Sequence, residues 1–349
     1  MPDLALYTVN DLRNWLLHNQ FKKGLSNRII SPARAWAIIN NPHVQDEDPV
    51  LATLSTDSEI AAFTTAFPEM IDGTRKWWFS SLWCAPEYRG HGYGLIVIGS
   101  LAEEYGIGNC LDRWGAPDTI GIFSYLGLKT VYTPRFVFGS RINRDTLKGK
   151  AAYLTRAVQK EFLELFYKTV GKEDYTLRYL PYIDDETYAF FLTNRNSDFF
   201  IHSQEFLNWV LQFSFTISAP LVKHSVTTAL YFQSEIVNTQ MFAIQVLDNN
   251  RIIGFYMMKR NDSCLHLLFL YYDDKAKNKV FASIIDHLKT MRIEQFDTEN
   301  AELADYIRHH HPFPKHKTVS VSFSCPESFS TPIEKTMQLG DGDCFAILS

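Results

Sequence analysis

The chain has 349 residues, a formal net charge of −5, 46% hydrophobic residues and 21% charged residues. That length fits two domains of about 150 to 180 residues each, and the balance is that of a globular protein. The mild acidity argues against nucleic acid as main partner, and no stretch reaches the ~18 uncharged apolar residues that a membrane span needs.

Other composition signals point the same way. Met1 to Leu12 lacks the basic and apolar regions of a secretion signal. Cys84, Cys110, Cys264, Cys325 and Cys344 have no metal-type spacing. A sparse, odd set of this kind fits reduced thiols and a cytoplasmic location. The 26 Phe and 17 Tyr imply well-filled cores and an aromatic-walled pocket.

In chain order, Leu4–Val9 reads as a strand and Asp11–Asn19 and Ser31–Asn40 as helices. Ser31 followed by Pro32 supplies a side-chain cap and a proline at the first helical position. Val50–Ser55, Glu59–Phe67 and Lys76–Cys84 form a meander of strands, with a tight turn at Thr56-Asp57-Ser58. Next comes Cys84-Ala85-Pro86-Glu87-Tyr88-Arg89-Gly90-His91-Gly92-Tyr93-Gly94, between the apolar runs Trp77 to Trp83 and Leu95 to Leu101. A strand, a glycine turn and a helix start aim several backbone N–H groups at one point. The helix dipole adds positive charge there, so the turn reads as an anion site.

The spacing is neither a P-loop, since no Lys-Ser/Thr follows, nor the dinucleotide-binding Gly-x-Gly-x-x-Gly. Arg89-x-x-Gly92-x-Gly94, after Pro86-Glu87-Tyr88, resembles the pyrophosphate loop of the GNAT superfamily of N-acetyltransferases. The following elements agree with that family: a short strand Asn109–Arg113, a helix Pro117–Leu126 closed by Gly127, and a strand Thr130–Phe138. The resemblance covers the element order of the first 140 residues, its motif about a dozen of them. It implies an acyl-CoA N-acyltransferase fold, α/β with a mixed central sheet flanked by helices, and acetyl-CoA as acyl donor with no metal.

Residue by residue, the resemblance places the pyrophosphate against the N–H groups of Gly90, His91, Gly92, Tyr93, Gly94 and Leu95. Arg89 lends a charge or fixes the loop. Backbone groups of Leu82, Trp83 and Cys84 hold the pantetheine arm and thioester, and one N–H there can polarise the carbonyl. The catalytic pair departs from the family. Ser80 and Ser81 stand where many relatives carry a glutamate, so the base is water or a carboxylate such as Glu87, Asp112 or one from the second half. Phe123 stands where a proton-donating tyrosine is usual, which leaves Tyr125 and Tyr132 as candidate acids, with packing as their other role. Cys84 as a nucleophile would need a base partner, and His91 lies too far round the turn to supply one.

Residues 141–172 open with Arg141, Arg144, Lys148 and Lys150 and continue with helical spacing over Ala151–Val170, which reads as a linker helix, with a basic clamp on a phosphate ligand as the alternative. From Tyr175 the pattern restarts. Thr176–Ile183 is a strand, and Asp185–Thr193 and Ser203–Phe213 are helices. Met241–Leu247, Arg251–Lys259 and Cys264–Tyr272 are strands. Ala276–Met291, Glu294–Phe296, Asn300–His309 and Thr318–Cys325 then read as helix, strand, helix and strand, with Phe345–Leu348 a last strand. The reading is therefore two such folds in tandem: 1–140 with the cofactor loop, 141–172 as linker, and 173–349 as a degenerate copy. At the second turn Asp273 and Asp274 replace the glycines and would repel pyrophosphate.

Two other segments carry alternatives. His309-His310-His311, with His316, is either a metal site or a set of histidines favoured by a helix C-terminus. Ser214 to Gln240 is an insertion that reads as a lid over the thioester, a disordered segment or a dimer contact. The expected activity is transfer of an acetyl group from acetyl-CoA to an amine of a small molecule or sugar. A non-catalytic coenzyme A sensor or assembly protein is the second reading, and an aminoacyl or peptidyl transferase the third. No membrane partner is expected, and a homodimer is possible.

Overall fold

Thr8 closes the first strand, β1 (Asp3–Thr8), and caps the first helix, α1 (Val9–Leu17). Its hydroxyl accepts the Asp11 N–H at 3.2 Å while the Asp11 carboxylate accepts the Thr8 N–H at 2.8 Å, a reciprocal capping box. α2 (Pro32–Ile39) follows, then the meander β2 (Pro49–Thr56), β3 (Glu59–Ile71) and β4 (Thr74–Cys84). The β2–β3 turn has positive φ at Asp57 (52°) and Ser58 (65°), the geometry of a tight hairpin. After β4 come α3 (Tyr93–Tyr105), β5 (Cys110–Arg113), α4 (Pro117–Tyr125) and β6 (Lys129–Gly139).

The second half repeats that order with β7 (Thr176–Leu180), α5 (Asp185–Asn194), α6 (Gln204–Gln212), β8 (Thr239–Asp248), β9 (Arg251–Asn261) and β10 (Cys264–Tyr272). It ends with α7 (Lys277–Thr290), β11 (Gln295–Thr298), α8 (Ala301–His310) and β12 (His316–Cys325). Asp184 caps α5, accepting the Thr187 N–H at 2.8 Å, and Ser203 accepts the Phe206 N–H at 3.1 Å at the start of α6. The β8–β9 turn repeats the first hairpin, with φ of 49° at Asn249 and 65° at Asn250. The computed structural model describes residues 2–18, 20, 29–30, 32–139, 174–195, 198–212, 239–310, 313, 315–329 and 337–342. The linker helix, the Ser31 cap, the 214–240 insertion apart from its last two residues, and the strand expected at 345–348 lie outside them.

The twelve strands among the described residues form one sheet, in the order β1-β2-β3-β4-β5-β12-β6-β11-β10-β9-β8-β7. In each half the first four strands pair antiparallel and the fifth joins parallel, so the mixed α/β fold occurs twice. The sequence reading did not foresee the joint. Each half sends its last strand to the other: β12 lies beside β5, and β6 beside β11, and these two strands pair along their full length.

A central core spans both halves, with Phe67, Trp78, Phe200, Phe206, Phe255, Phe269 and Phe323, and separate cores fill each flank. The joint is also polar. The Arg113 guanidinium holds both Glu299 oxygens at 2.6 and 2.5 Å and donates to the Asp341 carbonyl at 3.0 Å. His202 bridges Glu69 and Asp341, its Nε2 2.8 Å from the Asp341 carboxylate. Burial alone would lower the His202 pKa, but Glu69 and Asp341 raise it to about 10.

Candidate acyl-CoA site

β4 stays beside β5 for only three residue pairs, Trp77 to Phe79 against Cys110 to Asp112. Immediately beyond, β4 bulges. Its register with β3 slips between Phe63 and Thr65, and Ser81 takes φ of 64°. A bulge bends and twists its strand, and the two strands part here. Among the described residues no backbone segment pairs with β4 on the β5 side past Phe79, so the backbone of Leu82 and Trp83 borders a wedge. The Cys84 carbonyl accepts from Arg89 Nε at 3.2 Å.

The turn above the wedge starts with a 3-10 turn at Pro86–Tyr88. Gly90 (φ 83°) and Gly92 (φ 80°) hold conformations that favour glycine, and a Cβ at either would meet nothing within 4 Å. Gly92 is the N-cap of α3, so the N–H groups of the first helical turn, Tyr93, Gly94 and Leu95, have no intrahelical partner. The His91 N–H is already taken up by the Tyr88 carbonyl at 3.3 Å, and its ring lies 6.1 Å from that of Tyr93. Gly94 has a different use. A Cβ there would meet Ile122 at 3.2 Å and Leu82 at 3.6 Å, so this glycine lets α3 close on α4 and β4.

Arg89 therefore ties the loop to the strand end, and the turn brings Leu82, Trp83 and Cys84 together with Gly90, Gly92 and the α3 start. The two candidate tyrosines are both exposed. Tyr125, at the end of α4, is 78% exposed, and Tyr132, on β6, is 62% exposed. Phe123 is buried against Phe79, with ring centroids 5.3 Å apart. Burial raises the Cys84 thiol pKa, the opposite of what an acyl-carrying nucleophile needs. His309 and His310 turn back on their own helix, each facing a carbonyl four residues earlier at 2.8 Å.

One group escaped the sequence reading, and one of its candidate bases stands out. Arg34, on α2, is buried and donates to Ser80 Oγ at 3.0 Å, and Ser80 and Ser81 hydroxyls are 2.7 Å apart. A single arginine in a helix gives no sequence signal for such a contact. Asp112 closes the parallel ladder and is buried, and burial pushes its pKa up to about 7.

The second unit repeats the geometry and then fills it. β10 pairs with β11 over Cys264 to His266 and bulges between Leu267 and Phe269. Its wedge holds the chain's own segment 338–340. The Gly340 N–H donates to the Leu268 carbonyl at 2.8 Å, and the Gln338 side-chain amide accepts from the Leu270 N–H at 3.1 Å and donates to its carbonyl at 3.2 Å. A Cβ on Gly340 would lie 2.3 Å from the Phe269 ring, so only glycine passes there. At the turn Asp273 accepts the Lys275 N–H at 3.0 Å and binds Arg251 at 3.0 Å, a built-in anion where the first unit has open glycines.

Solved structures resemble this architecture. A candidate acetyltransferase of Pyrococcus horikoshii superposes with a TM-score of 0.51 at 10% identity, over 99% of this chain and 95% of that one. A GCN5-related N-acetyltransferase of Kribbella flavida gives 0.47 at 15% identity, over 93% of this chain and 70% of that one. A tandem GNAT protein from the clavulanic acid biosynthesis pathway gives 0.48 at 10% identity, over 93% and 98%. No family model and no curated protein matches the sequence. The likeness to the Pyrococcus protein shows the fold, and with the repeated element order the chain carries an acetyltransferase fold twice.

Proposed function

We propose that the chain is an acetyl-CoA-dependent N-acetyltransferase whose first unit does the chemistry on an amine of a small molecule or sugar. One observation carries this reading: β4 and β5 part beneath an exposed glycine turn at a helix start in the first unit, while the same opening in the second is filled.

In this reading the N–H groups of Gly90, Gly92, Tyr93, Gly94 and Leu95 hold the pyrophosphate, with Arg89 fixing the turn. The backbone of Leu82, Trp83 and Cys84 holds the pantetheine arm, and one of its N–H groups polarises the thioester carbonyl. The open space over Gly90 and Gly92 fits a phosphate approaching the backbone. Tyr125 or Tyr132, both exposed and so reachable by a ligand, returns a proton to the thiolate. Residues 1–140 form the working unit, 141–172 the link and 173–349 the silent copy.

Calorimetry with coenzyme A, followed by thiol release from acetyl-CoA across a panel of amines, tests the reading. Micromolar binding with amine-dependent release supports it. Binding without release to any amine would instead support a coenzyme A sensor, and no binding would end both.

A further inference from the structure

Asp112 and Asp297 hold the same place in the two units. Each is the last partner of its parallel ladder, Asp112 opposite Phe79 and Asp297 opposite His266. Asp297 is fully buried and satisfied: it faces His266 Nδ1 at 2.9 Å and accepts from Arg135. Burial raises its pKa, but His266 and Arg135 outweigh that and hold it below the usual carboxylate value.

Asp112 has none of this. It is 5% exposed, and its Oδ2 has no hydrogen-bond partner among the described residues. Phe79 replaces the histidine across the ladder, and on the other side stands Ser324, whose hydroxyl is paired with Thr130 at 2.9 Å. Arg113, next along the strand, is bound to Glu299. Lys76, on β4, donates to Asn109 at 3.0 Å, and Asp118 at the start of α4 is exposed. Burial is the one cause of the rise to about 7.

A buried carboxyl without partners is unfavourable and persists where something else requires it. The turn after β5 accommodates it. A Cβ at Gly115 would lie 2.7 Å from Asp112 Oδ2, so glycine leaves that oxygen its room. The unit with the open wedge keeps its aspartate unpaired, and the unit with the filled wedge has it neutralised by a histidine and an arginine.

We propose that Asp112 is the proton acceptor of the first unit, a role that rests on the acyltransferase reading of the same site. The carboxylate takes one proton from the acceptor's ammonium. The freed amine forms the new C–N bond at the thioester carbonyl, the C–S bond breaks, and the departing sulfur receives a proton from Tyr125 or Tyr132, which regains one from the attacking nitrogen. A group half-ionised near neutrality suits that exchange.

The test compares wild type with Asp112→Asn, which keeps the shape and removes the titration. Coenzyme A affinity by calorimetry should agree within about twofold. Thiol release from acetyl-CoA to the best amine of the panel should fall by ~10² or more, and the acidic limb of the pH–rate profile near 7 should disappear. Infrared titration should show a carboxyl C=O band that ionises near pH 7 in wild type and is missing in the variant. Its midpoint should move up when saturating coenzyme A fills the wedge. Wild-type turnover with an unchanged limb, or a midpoint indifferent to bound coenzyme A, would overturn the assignment. If wild type binds coenzyme A but acylates no amine, the acyltransferase reading fails, and the infrared titration still decides whether Asp112 answers to the ligand.

Discussion

At the end of its parallel ladder the first unit sets Phe79 against Asp112, and the second sets His266 against Asp297. Above the ladder the first unit has glycines with room over them, and the second has Asp273 bound to Arg251 and to its own backbone. Between the strands the second unit holds Gln338 and Gly340 in hydrogen bonds with Leu268 and Leu270, and the described residues place no such segment in the first. The fold is the same in both, so it does not require the opening. Each polar group left free in the first unit is satisfied from within the chain in the second. That is the pattern expected if, as proposed, one copy serves a ligand and the other stability.

The comparison breaks most severely at the joint. Arg113 has a fully buried side chain, holds Glu299 and donates to the carbonyls of Gln338 and Asp341. It thus anchors the segment that fills the second wedge from a strand of the first unit. Arg113→Met removes one partner of a buried ion pair, which costs about 3–5 kcal/mol. Scanning calorimetry should show one transition in wild type, moved well down in temperature by the substitution. Two transitions, with only one of them affected, would mean that the units are energetically separate despite the shared sheet.

The turns come next. Gly92→Glu puts a carboxylate where an anion is expected, and its Cβ would meet nothing within 4 Å, although φ of 80° adds about 1 kcal/mol of strain. Coenzyme A affinity should fall about 100-fold or more while the circular dichroism spectrum stays. The reverse change, Asp273→Gly, should create no second binding site, because residues 338–340 still fill the wedge beneath it. A second equivalent of coenzyme A bound by Asp273→Gly would show that the turn alone silences the second unit.

Much of this was legible in the sequence because local chemistry encodes it. The Thr56-Asp57-Ser58 turn, the helix opening at Ser203 and the order of strands and helices depend on near neighbours. The glycine turn was legible for the same reason. The exchange of β6 and β12 was not, since pairing of a strand with a partner some 190 residues away leaves no local pattern. Gly94 read as a phosphate contact because it stands in the motif, and its packing against Leu82 and Ile122 shows only in three dimensions. Gln338 and Gly340 sit in a polar, turn-like stretch that gave no hint of a wedge-filling role. Asp112 was one carboxylate among several until the ladder placed it opposite a phenylalanine and matched it with Asp297.

The smallest effect is a slope with pH. His202 is raised from 6.5 to about 10 by Glu69 and Asp341 against the opposing pull of burial. A raised histidine contributes its full stabilisation below the unfolded pKa of 6.5. That contribution fades as pH climbs toward 10, because the unfolded chain no longer binds the proton that the folded one keeps. Asp112 and Asp198, both pushed up to about 7 mainly by burial, also favour the folded state at lower pH, but they finish titrating below pH 8. In the window from pH 8 to 10 the buried thiols of Cys110 and Cys325, pushed up to about 12 and 11, add a loss of the same sign, so the histidine is isolated only by the difference between wild type and a His202 variant. Urea unfolding across it should show wild-type stability falling more steeply than that of the variant, by up to about 1.4 kcal/mol per pH unit. His202→Gln, less stable throughout, should lack that component. Curves that run parallel for the two proteins would mean that His202 is neutral in the fold, and that the contact between Glu69 of the first unit and Asp341 of the terminal segment is held by hydrogen bonds alone.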